Sequence, residues 1–422
     1  MNKGKQTAGT ERPNLVGIAV TAILAGIPLS FSVSAQAQEK TAAPDLEEVT
    51  VTGSRIVRRD LVANSPLVTV DTTALETKSG LNIESYLNQL PAFNPAAPTY
   101  ANSNFYVAHV SAYGNLGDPT LTTNSGNGIV LGSVAGATIE RSSAWGNGSL
   151  CKATQCGAGI WTYDSTQVTI QYDESFSNSS ASRVDGDGFD LDQNVSNSYV
   201  QYSYSHDNGG AGILDYSGAV NSAHVGNTIR YNISQNDART NDGSVTIGGH
   251  LFRDALYQNT VFVAASTGGS PAAVRINPGP TGVSVRNNIL DVGAGVPMVV
   301  SAAPLGTAAI TFQGNDYAGT FKVVWGVAAY SGLDAWRQPT GQERLGSTLI
   351  GLVADPGLTN PGGGGTIGNP DLLATLSAYR LLPGSPMAGA GLNLGVLFAA
   401  SVGSHDYYGN PVQAPPAVGA SE

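Results

Sequence analysis

Four stretches of the chain, residues 139–147, 170–178, 200–208 and 229–237, align without a gap. An apolar residue opens each (Ile139, Ile170, Val200, Ile229), and a small one stands five places on (Ala144, Ser175, Ser205, Ser234). Eight places on comes Asn147, Asn178, Asn208 or Asp237, and the starts lie 31, 30 and 29 residues apart. A second short apolar strand follows a glycine in every copy, at Gly128, Gly159, Gly188 and Gly212. A third is expected at Ala137-Thr-Ile, Val168-Thr-Ile and Asn227-Thr-Ile, running into the next first strand. Short strands at this period, with no helical pattern between them, predict a solenoid in which each copy is one coil. An amide at a fixed turn position can bond its equivalents one coil above and below, so the recurring Asn predicts a ladder.

Strand alternation then says what faces outward. If the apolar residue after each glycine points in, the next points out, giving Val130, Trp161, Asp190 and Leu214 in successive coils. Two places further stand Gly132, Tyr163, Asp192 and Tyr216. The first strands add Arg141, Tyr172, Tyr202 and Tyr231 in one expected outward row and Trp145, Phe176 and His206 in another. Aligned exterior aromatics fit the flat apolar faces of sugar rings, so Trp161, Tyr163, Tyr172, Tyr202 and Trp145 are candidate substrate contacts. The alternative is that loops fold back over these rings as ordinary packing.

Composition narrows the class of partner. The 422 residues carry 53 glycines, only 12% charged residues and a net charge of -11, which fits an exported, turn-rich β protein and leaves no basic stripe for nucleic acid. Lys3, Lys5 and Arg12, the apolar run 15–31 and Ala35-Gln36-Ala37 read as a signal peptide over residues 1–37, placing the mature chain in the periplasm, at the outer-membrane surface or outside the cell. Cys151 and Cys156 are then expected to form a local disulfide.

The acidic run Asp185-Gly-Asp187-Gly-Phe-Asp190-Leu-Asp192 places four carboxylates on a glycine-flexed segment, the ligand chemistry of calcium. His109, His224, His250 and His405 each stand without a second histidine or a carboxylate at ligand spacing and read as structural.

Two resemblances add to this reading. Residues 46–56, 65–71 and 81–91 resemble the mature N-terminus and the first plug strand and helix of TonB-dependent outer-membrane receptors. The resemblance implies a short α/β fragment over 38–100 and a TonB-like contact. The repeat resembles the right-handed parallel β-helix superfamily of pectate lyases, polygalacturonase-like hydrolases and mannuronan C5-epimerases. It implies an all-β fold with the β-helix over 101–320, a cap and tail over 321–422, a monomer, and an acidic polysaccharide as partner. Gly188, Phe189, Asp190 and His206-Asp207-Asn208 match the epimerase motif, whereas Asp187, Leu191, Asp192 and Gln193 replace its tyrosine, proline, histidine and glutamate.

These residues support a first reading as a cation-assisted, lyase-like enzyme in which a cation near Asp190 neutralises the substrate carboxylate and Tyr216, Tyr163 or His206 acts as base. An inverting hydrolase using Asp190 and Asp192 is a second, since their Cα atoms lie about 6.6 Å apart along one strand face. The polygalacturonase motifs are missing, with Asn277 after Arg275-Ile276 where lysine is expected. A glycan- or partner-binding module without catalysis is a third.

Overall fold

The computed structural model describes residues 105–218, 223–240, 242–265 and 269–422. The segments expected to be a signal peptide and a plug-like fragment lie outside them. Each coil contributes one short strand to each of three parallel sheets, and successive coils add the next neighbour in every sheet. The first sheet runs from Phe105–Ala108 to Ile310–Gln313, the second from Ser111–Tyr113 to Asp316–Ala318, and the third from Ile129–Gly132 to Val323–Trp325. The chain is a parallel β-helix.

Identical positions stack in register, which explains why the apolar positions repeat. Ile139, Ile170, Val200, Ile229, Leu256, Val285 and Phe312 form one interior column on the first sheet. Ile129, Ile160, Phe189, Ile213, Val245, Val274 and Val299 form another on the third. All are buried, each contributing about 1.5–3 kcal/mol of hydrophobic stabilisation.

The expected ladder is present. Asn147 donates from Nδ2 and its backbone N–H to Asn178 Oδ1 (2.9 and 3.2 Å), Asn178 does the same to Asn208, and Asn208 to Asp237. A second ladder, not expected from the sequence, runs through Asn232, Asn259, Asn288 and Asn315 and ends on Glu343 Oε1. Glycines ahead of the early third-sheet strands, Gly159, Gly188 and Gly212, are required by the first ladder and its neighbouring serines. A Cβ at Gly188 would lie 2.3 Å from Ser205 Oγ and 2.7 Å from the Gly212 carbonyl.

The aligned stretches are not single strands. Arg141, Tyr172, Tyr202 and Tyr231 have φ of 51°, 56°, 54° and 51°, a left-handed corner that turns the chain from the first sheet to the second. They therefore leave the strand instead of forming an outward row on it, which corrects the sequence expectation.

The far end is closed by helix α1 (Leu333–Thr340), whose Trp336 packs among Phe312, Tyr317, Phe321 and Trp325. The chain then reverses. Leu358, Leu373, Leu376, Tyr379, Met387 and Tyr408 join Tyr204, Ile233 and Ile289 in a second apolar core on the outside of the second sheet. Gly364 exchanges two hydrogen bonds with the Gln235 side chain, and Glu174 accepts the N–H groups of Ile367 and Gly368 at 2.6 and 2.7 Å.

Candidate functional site

The third sheet carries Val130, Trp161, Asp190, Leu214, Thr246 and Arg275 in one register row on its outer face, because the residue before each points into the core. Asp190 is 6% exposed and its Oδ1 has no hydrogen-bond partner. Burial, then the charges of Asp192, Asp187, Asp185 and Asp215, push its carboxyl well above the usual range. Asp192, one place beyond the strand, is half-buried and also raised, by burial. An amide hydrogen bond and the nearby His224 oppose that rise.

The remaining two carboxylates are anchored to backbone. Asp185 accepts the Cys156 N–H at 2.6 Å, and burial lifts it to about 6. Asp187 accepts the Ala211 N–H through Oδ1, leaving the buried Oδ2 unpartnered, and is likewise raised by burial and by Asp185. The Cys151–Cys156 disulfide forms as expected and closes the loop that presents the Cys156 amide to Asp185.

Trp161 and Tyr163 lie 5.3 Å apart beside Asp190, with the Tyr163 ring over Gly132. Tyr216 projects outward over Gly248 and is 37% exposed. The acidic residues, Trp161, Tyr163 and Tyr216 thus share one face. Sequence reasoning missed two further members. Asp242 contributes to the raised pKa of Asp185 and Asp187, and Arg275 pairs electrostatically with Asp242. The available signal was the Asp-Gly step ahead of a strand, repeated at Asp187-Gly188 and Asp242-Gly243.

The other candidates belong elsewhere. His206 lies on the second sheet, 2% exposed, stacked on Phe176 at 4.8 Å and flanked by Glu174 and Asp207. Trp145 continues that stack towards Tyr113. Tyr172 and Tyr202 stack at the corner between the first and second sheets, and His405 from the C-terminal segment covers them. Tyr202 is 4% exposed, so folding back of the chain accounts for this pair and for His206. The structure does not bring them to Asp190, which is on another sheet.

The histidine reading also changes. Asp215 replaces an apolar residue in the interior column between Leu191 and Ile247. His224 Nε2 lies 2.8 Å from its Oδ1 and 3.4 Å from Asp254 Oδ2, so His224 does have carboxylates at ligand spacing. Burial disfavours its charge, but the bonds to Asp215 and Asp254 outweigh that and raise it to about 10. Among the described residues, these are the three side chains whose ligand atoms converge within 4.8 Å; the Asp185–Asp192 oxygens do not.

No family model matches the chain. A lacto-N-biosidase of Bifidobacterium longum subsp. longum is 35% identical over 112 residues, 26% of this chain and 6% of that protein. The chain therefore spans a small fraction of the length of that curated relative. Among solved structures, the periplasmic alginate epimerase AlgG aligns over 53% of this chain and 45% of its own, at 15% identity and a TM-score of 0.31. The Agl-KA catalytic domain aligns over 52% of each chain, at 12% identity and a TM-score of 0.22.

Proposed function

We propose that this is an exported protein that cleaves a polysaccharide on the outer face of the third sheet, with Asp190 as the proton donor. One observation carries the reading: the buried carboxyl of Asp190, which its surroundings push well above the usual range, stands in register beside Trp161 and two residues from the more exposed Asp192. Both carboxyls are raised, Asp190 well above the ordinary range and Asp192 against the opposition of an amide hydrogen bond and His224, and a pair in unequal surroundings is what acid-base cleavage of a glycosidic bond uses. Their Cα separation of about 6.6 Å suits a water between donor and base, as in inverting hydrolysis. Tyr163 and Tyr216 supply flat surfaces for sugar rings, with the buried Trp161 packed beside Tyr163. The local similarity to a lacto-N-biosidase is in keeping with a carbohydrate substrate.

A cation-assisted elimination is the second reading, favoured by Asp187 Oδ2 and Asp190 Oδ1, both buried without a hydrogen bond. Calcium held by Asp185, Asp187, Asp190 and Asp192 would have to draw oxygens together that stand apart in the structure, but it would satisfy both atoms and could neutralise a uronate carboxylate. The purified protein is incubated with a panel of neutral and acidic polysaccharides, reading new reducing ends and new ultraviolet absorbance. Reducing ends alone mean hydrolysis, and both signals together mean elimination. Neither signal across the panel would overturn the cleavage reading and leave a binding module.

A further inference from the structure

The interior of a parallel β-helix is a place for apolar stacks, and three ionisable side chains break it at one level. Asp215, His224 and Asp254 are each at most 1% exposed. They come from one coil and the next, Asp215 from the third-sheet strand Ile213–Ser217 and the other two from the turns that lead into the first sheet. One oxygen of Asp254 accepts the Asn227 N–H at 2.8 Å, and Asp215 Oδ1 faces His224 Nε2. Asp215 Oδ2 has no hydrogen bond, Asp254 Oδ2 has only the long 3.4 Å approach of His224 Nε2, and Ser217 Oγ, two residues along the same inward strand face, has none.

The electrostatic balance of this group is unfavourable on its own. Two carboxylates with a neutral imidazole carry two negative charges, and an imidazolium removes only one of them. A buried charge without a counter-charge is costly, and a single ring N–H directed at two carboxylates cannot satisfy both free oxygens. A divalent cation between them cancels both charges while the imidazole stays neutral, and it takes a free oxygen from each side. One nitrogen and two carboxylate oxygens are a ligand set that suits zinc and its first-row neighbours better than calcium, which prefers oxygen alone.

We propose that Asp215, His224 and Asp254 form a buried site for a divalent transition metal of the zinc type. Ser217 Oγ or a water fills the remaining position. The metal joins two successive coils directly behind the acidic face, and it enters as the chain folds, because the finished interior has closed around it. This inference does not depend on the glycan-cleaving reading.

The test uses the full-length chain, refolded from denaturant with either a chelator or Co2+, and with Zn2+ in parallel. The expected result is one tightly held metal per chain after desalting, visible d–d absorption for the Co2+ form, and a melting temperature higher than that of the chelator form. His224→Ala should lose the metal and the absorption. Asp215→Asn, close in shape and still able to bond His224, should weaken metal affinity at least about 10-fold and keeps the test decisive if His224→Ala does not fold. Wild-type protein that refolds without bound metal overturns the proposal. So does metal held equally by wild type and both variants, since it would then sit elsewhere.

Discussion

Arg141, at the corner of an early coil, bonds Asp371 of the C-terminal segment at 2.9 Å across 230 residues of sequence. The segment that follows the end cap therefore travels back along nearly the whole second sheet. One of its anchors on the solenoid is Glu174, which is fully buried and accepts two backbone N–H groups from it.

Replacing Glu174 by Ala should destabilise the protein by about 3 kcal/mol, because two charge-assisted hydrogen bonds are lost and the freed amides stay buried. Denaturant unfolding measures the loss, and limited proteolysis should show new cleavage near residue 367. A stability within about 0.5 kcal/mol of wild type would mean that the segment is not held there.

The Asn208→Ala change should cost about 2–4 kcal/mol. Asn208 both accepts from Asn178 and donates to Asp237, so its removal strands a partner on each side. A melting curve checks it against Gln193→Ala, an exposed turn residue expected to change stability by less than about 0.5 kcal/mol.

Asp190→Asn should lower any polysaccharide-cleaving rate at least about 100-fold while the melting temperature stays the same or rises. The sign follows from the raised pKa: an ionised Asp190 is disfavoured in the folded state, and asparagine removes that cost. Near-normal activity in this variant would remove Asp190 from the site.

Stability of the metal-free protein should fall as pH rises. Burial raises Asp185 and Asp254 to about 6 and Asp316 to about 7, so the native state holds protons that the unfolded chain has released. Their stabilisation is present at low pH and disappears between about pH 4 and 7. His224, raised to about 10, acts in the same direction: its contribution is full below about pH 6.5 and is lost as pH passes 10. Melting temperatures across pH 4 to 10 in chelator read this slope, and a rising curve would contradict it. Calcium bound by Asp185, Asp187, Asp190 and Asp192 should raise the melting temperature at neutral pH, where these groups compete with protons; equal values in chelator and millimolar calcium would argue against that site.

The sequence reveals the outward position of Asp190 because alternation after Gly188 is strict, and it reveals the ladder because Asn recurs at one offset. It conceals the corner at Arg141, Tyr172, Tyr202 and Tyr231, since none of these residues favours a left-handed backbone. The covering of Tyr202 and His206 depends on contacts with a segment that shares none of the repeat. The Asp215–His224–Asp254 group is hidden for a different reason: its members are neighbours only once the coil has closed. A trace remains in Asp215, a charged residue in a column where its two neighbours are Leu191 and Ile247.

Each asparagine ladder has a direction. In the one that starts at Asn232, each asparagine takes bonds through its oxygen from the coil before and gives bonds through its nitrogen to the coil after, so a whole coil duplicated in the middle would find correct partners on both sides. Glu343 breaks the rule, because its carboxyl receives Asn315, Gly314 and Tyr317 and passes nothing onward. It acts as a stop codon written in hydrogen bonds: the length of this solenoid is free to change by internal copying, but growth past that residue has no template.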